Sequence, residues 1–209
     1  AGASRIVVEL MGAGRDLIRV VDDGAGMSAE DAKLSILPHA TSKIATLEDL
    51  AEIGTFGFRG EALPSIAAVS HFVLITRRAE DESGTLIATE GGAATRTESI
   101  GCPVGTSVAI RHLFFNTPPR LKFLKQNRTE LARCVDTTAR FALAFPSVGF
   151  QVLHEREEIF RVDPSDGLDA RIALVIGREE ARALIPFEAN PPLARVHGDL
   201  HALEREAAR

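Results

Sequence analysis

Residues 57–63 of the chain read GFRGEAL. Two glycines flank a cation, and a carboxylate and small apolar residues follow, which is typical of a loop leading into a helix. The first N–H groups of a helix have no intrahelical partner, and the helix dipole adds partial positive charge there. Such a start can bind an anion through the backbone. The residues of this predicted anion cradle are Gly57, Phe58, Arg59, Gly60, Glu61, Ala62 and Leu63.

Two charged side chains in the cradle have alternative roles. Arg59 could contact a phosphate, or it could form an outward ion pair with Glu52 or Glu61. Glu61 is expected to be a cap or a partner of the helix dipole rather than a catalytic base, because a carboxylate is favourable at a helix N-terminus.

A second candidate segment, residues 22–26 (DDGAG), comes earlier in the chain. Asp22 ends a predicted strand, and its carboxylate can accept a hydrogen bond from an exocyclic amine such as that of adenine. Gly24 and Gly26 allow a close approach of the backbone and a positive φ. The alternative is an ordinary tight turn, since Asp-Asp-Gly is common turn chemistry. Thr106, at the start of a later strand, could support the Asp22 carboxylate or a bound water.

Between these segments lies a long connection, residues 39–59, which contains HATSK. Long connections in compact domains are usually functional lids or disordered. The hydroxyls of Thr41 and Ser42 and the ammonium group of Lys43 can contact phosphate oxygens, although a solvated loop has the same composition. His39 is expected to be a capping or packing histidine.

The bulk composition limits the class of protein. The 209 residues are 45% hydrophobic and 25% charged, with a net charge of −5 and no Trp or Tyr. Cys102 and Cys134 have no metal-ligand spacing, so they are expected to be reduced thiols of a cytoplasmic protein. No apolar run approaches the ~18 residues of a membrane span. Neither GxxxxGK[ST] nor GxGxxG with a downstream acid is present, which disfavours the common nucleotide folds.

The order of predicted elements indicates an α+β protein. Hairpins are predicted at 5–10 with 16–21 and at 148–154 with 158–162, and further strands at 71–78, 85–89 and 106–113. Helices are predicted from an N-cap at Ser28, at 60–69, at 121–144 and at 168–175. Without βαβ regularity, a two-layer sandwich with a mixed or antiparallel sheet and helices on one face is expected. Residues 163–167 are the best candidate for a linker.

A basic segment lies in the second half of the chain, where five cations face one acid, Glu130. It is a candidate for contact with DNA phosphates, and a solvated helix face is the alternative. Phe123 is the one aromatic residue among these charges and is expected to pack inward, so any DNA binding should tolerate sequence. The five cations are Arg120, Lys122, Lys125, Arg128 and Arg133.

The motifs DDGAGM, HATSKI, TFGFRGEAL, GTSV and LFFNTPPRLKFLK, in this order, resemble the N-terminal region of the MutL family of DNA mismatch repair ATPases. The resemblance implies a GHKL-type (Bergerat) ATPase domain at 1–165, followed by a linker and the start of a ribosomal-S5-like domain at 166–209. It implies that Asp22 binds the adenine amine, that Gly24 and Gly26 line the base pocket, and that Thr106 supports this site. Thr41, Ser42 and Lys43 would belong to an ATP lid, and residues 57–63 would cradle the phosphates.

The resemblance also implies ATP and Mg²⁺ as cofactors. The family's general-base Glu and Mg²⁺-binding Asn would precede Ala1, so this chain is expected to bind nucleotide weakly without turning it over. ATP would order the lid and favour a homodimer, and DNA, a mismatch-recognition protein and a downstream nuclease or helicase would be partners. A non-hydrolysing DNA-binding scaffold with a vestigial nucleotide site is the alternative. A relative such as gyrase B or a sensor kinase fits DxGxG but not HATSK.

Overall fold

The computed structural model describes residues 2–38, 60–189 and 196–201, with side chains described as far as residue 184. The elements in chain order are β1 Arg5–Met11, β2 Leu17–Asp22, α1 Ala29–Ser35, α2 Ala62–Ala67, β3 His71–Arg77, β4 Gly84–Glu90, β5 Ala93–Ile100, β6 Gly105–Arg111, α3 Pro118–Phe123, α4 Asn127–Ala144, β7 Gly149–His154, β8 Glu157–Val162, α5 Leu168–Ile176, α6 Arg178–Arg182, β9 Leu184–Ala189 and β10 Val196–His201.

Eight strands form one mixed sheet in the order β5-β4-β3-β6-β2-β1-β7-β8. The neighbours are antiparallel except for β1 and β7, which run parallel. Strands β9 and β10 form a separate antiparallel pair. The two predicted hairpins, β1–β2 and β7–β8, are confirmed, and so is the α+β class.

The apolar core lies on one face of this sheet. Along β3 the side chains alternate, and Phe72 and Leu74 are fully buried. They pack with Ala32 of α1 and Ala67 of α2. Toward the other end of the sheet, residues of β1 and β7 pack with Leu131, Cys134 and Val135 of α4. Helices α1, α2 and α4 therefore cover one face, as a strand period of two requires for a half-buried sheet.

Helix α1 begins where its sequence predicts. The Ser28 hydroxyl accepts a hydrogen bond from the N–H of Asp31 at 3.0 Å and donates to the Asp31 carboxylate at 2.9 Å. Ser28 thereby satisfies one of the unpaired N–H groups of the first turn. The helix ends at Ser35, three residues before Pro38.

The prediction of one helix over residues 121–144 is wrong. The chain forms α3, leaves helical geometry at Leu124 (ψ 132°), and begins α4 at Asn127. Two contacts stabilise the break, one from within α4 and one from a residue far away in the sequence. The N–H of Lys125 donates to the Glu130 carboxylate at 2.7 Å, and the Arg15 guanidinium donates to the carbonyl of Lys125.

The end of α4 is connected to α5 by a buried arginine. Arg171 of α5 is 0% exposed, and its guanidinium donates to the carbonyls of Ala142, Phe145, Val148 and Asp163. Among the residues with described side chains, it forms no ion pair with a carboxylate. A cation at this position also interacts favourably with the dipole of α4. The predicted linker, residues 163–167, is thus attached at both sides to the core of the sheet domain.

No helix in the described ranges combines the length and the apolar character that crossing a membrane requires.

Candidate functional site

A row of three polar side chains crosses the middle of the sheet. Asp22, the last residue of β2, is paired with Thr106 of β6, and Thr106 is paired with Thr76 of β3. Directly paired residues project from the same face with their Cβ atoms about 4.5–5.5 Å apart. Thr76 follows the alternation of the buried Phe72 and Leu74, so the polar row lies on the helix-covered face. The three residues end the apolar layer of the central strands.

The Asp22 carboxylate is held by the turn that follows it. Its Oδ1 atom accepts the N–H of Gly24 at 2.9 Å. Within the residues whose side chains are described, Oδ2 has no hydrogen-bond partner. One carboxylate oxygen thus orients the group, and the other can accept a hydrogen bond from a ligand.

Two glycines let the backbone close around Asp22. Gly26 has φ +70°, and a Cβ there would lie 2.1 Å from the carbonyl oxygen of Arg77. Gly105 has φ +116°, and a Cβ there would lie 2.2 Å from the carbonyl oxygen of Asp22. Gly24 does not adopt a positive φ, so the expectation of such a conformation holds for Gly26 and is wrong for Gly24.

Thr76 is a site residue that the sequence analysis missed. It is 1% exposed, and its Oγ1 atom lies within hydrogen-bond distance of the Met27 N–H, the Gly105 carbonyl and the Thr106 hydroxyl. The signal was present in β3, where a threonine occupies a position that the alternation assigns to the core. A buried hydroxyl there must have hydrogen-bond partners.

Asp23 attaches the start of β1 to the same turn. Its Oδ1 atom accepts the N–H groups of Ser4 and Arg5 at 2.7 and 2.9 Å, and its Oδ2 atom accepts the Ser4 hydroxyl at 2.5 Å. The hydrogen bond from the Ser4 side chain is the largest cause of a lowered Asp23 pKa. Asp23 therefore stabilises the turn that positions Asp22.

Of the predicted anion cradle, residues 60–63 are described. Gly60 has φ +62°, and α2 begins at Ala62 with Glu61 as its N-cap residue. No side-chain cap is formed by Glu61, and Leu63 packs against the core cluster around Phe72. Pro64 lies in the first turn, as expected. The other predicted lid and cradle residues lie outside the described residues: His39, Thr41, Ser42, Lys43, Gly57, Phe58 and Arg59.

The basic segment is exposed on α3, α4 and the turn between them. All five cations are exposed: Arg120, Lys122, Lys125, Arg128 and Arg133. The carboxylate of Glu130 accepts the Lys125 N–H and lies 3.9 Å from the Arg133 guanidinium. The expectation that Phe123 packs inward is wrong, because its side chain is 81% exposed. Phe123 is the last residue of the short α3.

Within the residues whose side chains are described, no three His, Cys, Asp or Glu side chains are grouped so that they could hold a metal ion. Mg²⁺ is usually held by one or two protein ligands together with phosphates and water, so this result does not bear on the expected Mg²⁺.

The mixed sheet with helices on one face is that of an α+β sandwich of the GHKL ATPase type. Comparisons of the chain with known proteins agree with this class. It is 52% identical over 198 residues to the DNA mismatch repair protein MutL of Symbiobacterium thermophilum, covering 95% of this chain and 31% of that protein. It is 48% identical over 199 residues to MutL of Syntrophotalea carbinolica, covering 95% and 32%.

Among solved structures, the chain is similar to the Aquifex aeolicus MutL ATPase domain complexed with ADP. The identity is 30%, the TM-score is 0.67, and the match covers 90% of this chain and 65% of that one. A scan against protein-family models gives no match. The chain belongs to the MutL family, and it spans about a third of the length of the curated relatives that it matches.

Proposed function

We propose that this chain is the ATP-binding part of a DNA mismatch repair ATPase. The observation that carries the proposal is the polar row Asp22–Thr106–Thr76, in which Gly26 and Gly105 bring the backbone close and one Asp22 oxygen has no described partner. A carboxylate oxygen in this position can accept a hydrogen bond from the 6-amino group of adenine. The similar Aquifex aeolicus domain was solved with ADP, which supports a nucleotide at the corresponding place.

The phosphates would extend toward the start of α2. Gly60 has a positive φ and leads into the first turn of α2, where backbone N–H groups have no partner within the helix. Since α2 has six residues, its dipole is small, and hydrogen bonds from individual N–H groups would provide most of the binding. Three or four such bonds to charged oxygens contribute about 1.5–3 kcal/mol each before ordering costs.

In the whole protein, we propose that ATP binding closes the predicted lid and promotes association of two N-terminal regions, and that hydrolysis with Mg²⁺ reverses this. DNA, a mismatch-recognition protein and a downstream nuclease or helicase would be its partners in the cytoplasm. The support is the family membership and the order of the motifs. The ATPase unit would comprise residues 1–165, and a second domain would begin within residues 166–209, so that Arg171 would join the two.

The test is calorimetric titration with a non-hydrolysable ATP analogue. Asp22→Asn replaces one acceptor oxygen with an N–H₂ donor, and we expect affinity to fall at least about tenfold, equal to about 1.4 kcal/mol. Asp136→Asn is the matched control, because Asp136 is an exposed carboxylate on α4 whose partner is Arg140 of the same helix. Equal affinities of the Asp22 variant and the control would refute the assignment of Asp22.

A second function, DNA binding that tolerates sequence, is favoured by the exposure of all five cations of the basic segment. If four phosphates are contacted, log K should fall with log salt with a slope of about −3.6. Lys122→Glu with Lys125→Glu should weaken binding and flatten this slope. Lys33→Glu with Arg178→Glu gives the same change in net charge at exposed positions on α1 and α6. If both pairs weaken binding equally, the effect is one of net charge and the segment is not the binding surface.

A further inference from the structure

The hydroxyl of Thr76 has three polar neighbours and one proton. The Met27 N–H donates to Oγ1 at 2.9 Å, the Gly105 carbonyl oxygen lies at 3.1 Å, and the Thr106 Oγ1 atom lies at 3.1 Å. A threonine hydroxyl donates one hydrogen bond and accepts two. Three neighbours therefore use its full capacity.

These three contacts form separate hydrogen bonds in only one arrangement. The Met27 N–H can only donate, and the carbonyl of Gly105 can only accept, so the Thr76 proton points to Gly105. Thr76 then has one acceptor position left for Thr106. The Thr106 hydroxyl must donate to Thr76, and its proton is directed along the sheet instead of toward Asp22 or a ligand.

We propose that Thr76 is a positioning residue that makes the polar row a hydrogen-bond-accepting wall and thereby selects a purine with a 6-amino group over one with a 6-oxo group. With its proton held by Thr76, Thr106 offers only lone pairs to the pocket, beside the Asp22 carboxylate. Adenine presents N–H donors at this position, whereas a 6-oxo purine presents an acceptor. The inference rests on the proposed nucleotide site and extends it to base selection by a residue that does not touch the base.

The experiment uses calorimetry to compare binding of ADP and inosine diphosphate, which differ at the 6-position and in the hydrogen that inosine carries on N1. Thr76→Val keeps the shape and removes the hydroxyl, so the Thr106 proton is free to reach a 6-oxo group or Asp22. Either outcome lowers the preference for ADP, by about 2- to 12-fold for one hydrogen bond of ordinary strength. Thr76→Ser keeps the hydroxyl and should retain the preference of the unmodified protein within about twofold.

Thr89→Val is the matched control. Thr89 is 3% exposed on the neighbouring β4, is paired with Phe72 on the same face, and its hydroxyl has no described hydrogen-bond partner. The substitution tests the loss of a buried threonine hydroxyl in the same sheet, and it should leave the ADP preference unchanged. Thr76→Ala removes the same hydroxyl with less steric demand and replaces Thr76→Val if that variant does not fold.

The outcomes separate this inference from the proposed function. If the unmodified protein binds neither diphosphate, the nucleotide site and the inference both fail. If it prefers ADP and the preference is the same in Thr76→Val or Thr76→Ala, the role of Thr76 is refuted and the nucleotide site stands. A fall in preference in the hydroxyl-free variants, with Thr76→Ser and Thr89→Val unchanged, is the expected result.

Discussion

Replacing Arg171 with methionine should destabilise the protein strongly, because its guanidinium is the donor for the carbonyls at the end of α4. The side chain is 0% exposed, and the hydrogen bonds to Ala142 and Asp163 are 2.6 and 2.8 Å long. Longer contacts of 3.1–3.4 Å reach Val148 and Phe145. Methionine fills a similar volume without any donor.

The magnitude follows from two opposing terms. All four carbonyls lose the guanidinium as a donor. Phe145 and Asp163 still accept the N–H groups of Val148 and Asp166, so the cost comes mainly from Ala142 and Val148, at about 1–3 kcal/mol for each buried group left unpaired. Removal of the buried charge recovers part of its desolvation cost, which is several kcal/mol. We therefore expect the free energy of unfolding to fall by about 3 kcal/mol, a large part of the ~5–15 kcal/mol of a typical domain.

Urea unfolding followed by circular dichroism measures this change. With a slope of about 2 kcal/mol per molar urea, the midpoint should fall by about 1.5 M. Arg178→Met on α6 is the matched control, since Arg178 is exposed, and it should change stability by less than about 0.5 kcal/mol. A midpoint for the Arg171 variant within about 0.25 M of the control would show that the contacts contribute nothing net.

Three further substitutions and one labelling experiment test other parts of the structure. Because the pKa of Asp23 in the folded protein is lowered from 3.8, its carboxylate adds to the free energy of unfolding above that pH, and this contribution disappears below it. In Asp23→Asn, the free energy of unfolding should therefore fall less steeply as pH decreases from about 5 to about 3. An equal slope in both proteins would contradict this. Gly26→Ala must adopt φ +70° against the Arg77 carbonyl, and should lower Tm by about 4–8 °C. Ser28→Ala should cost about 1 kcal/mol and Ser28→Asp much less, as measured by urea unfolding. Burial, followed by the charge of Glu130, raises the pKa of the Cys134 thiol. In a Cys102→Ser background, alkylation of Cys134 should therefore be slow near neutral pH and should accelerate as pH rises. Mass spectrometry follows the reaction.

The elements that the sequence predicted well have local causes. The β1–β2 hairpin has β-branched runs on both sides of a glycine-rich turn, and Ser28 with Asp31 marks the start of α1. Strand β5 was missed because its residues are almost all exposed, so it has no buried face to produce an alternating pattern. Its strand geometry comes from pairing with β4. Such edge strands depend on a neighbour that the local sequence does not reveal.

In the candidate site, too, the features that depend on distant parts of the chain were not predicted. Asp22 was identified and Thr106 was expected to support its carboxylate, but the strand register that pairs the two directly was not predictable from positions far apart in the chain. Thr76 was missed because its role depends on β3 lying next to β6. The break between α3 and α4 was missed because helical propensity continues through residues 121–144. One of the hydrogen bonds at the end of α3 comes from Arg15, which is distant in sequence.

The parallel pairing of β1 with β7 sets an order for completion of the sheet during synthesis. Strands β2, β6 and β3, which carry Asp22, Thr106 and Thr76, are all present once residue 111 has left the ribosome. The other edge of β1 pairs with β7, and β8 lies beyond it. These two strands are synthesised later, with residues 149–162. At ~5–20 residues per second, translation of the ~50 residues between these points takes about 3–10 s. For that time the nascent chain exposes an unpaired edge of β1, whose backbone N–H and C=O groups can pair with another chain.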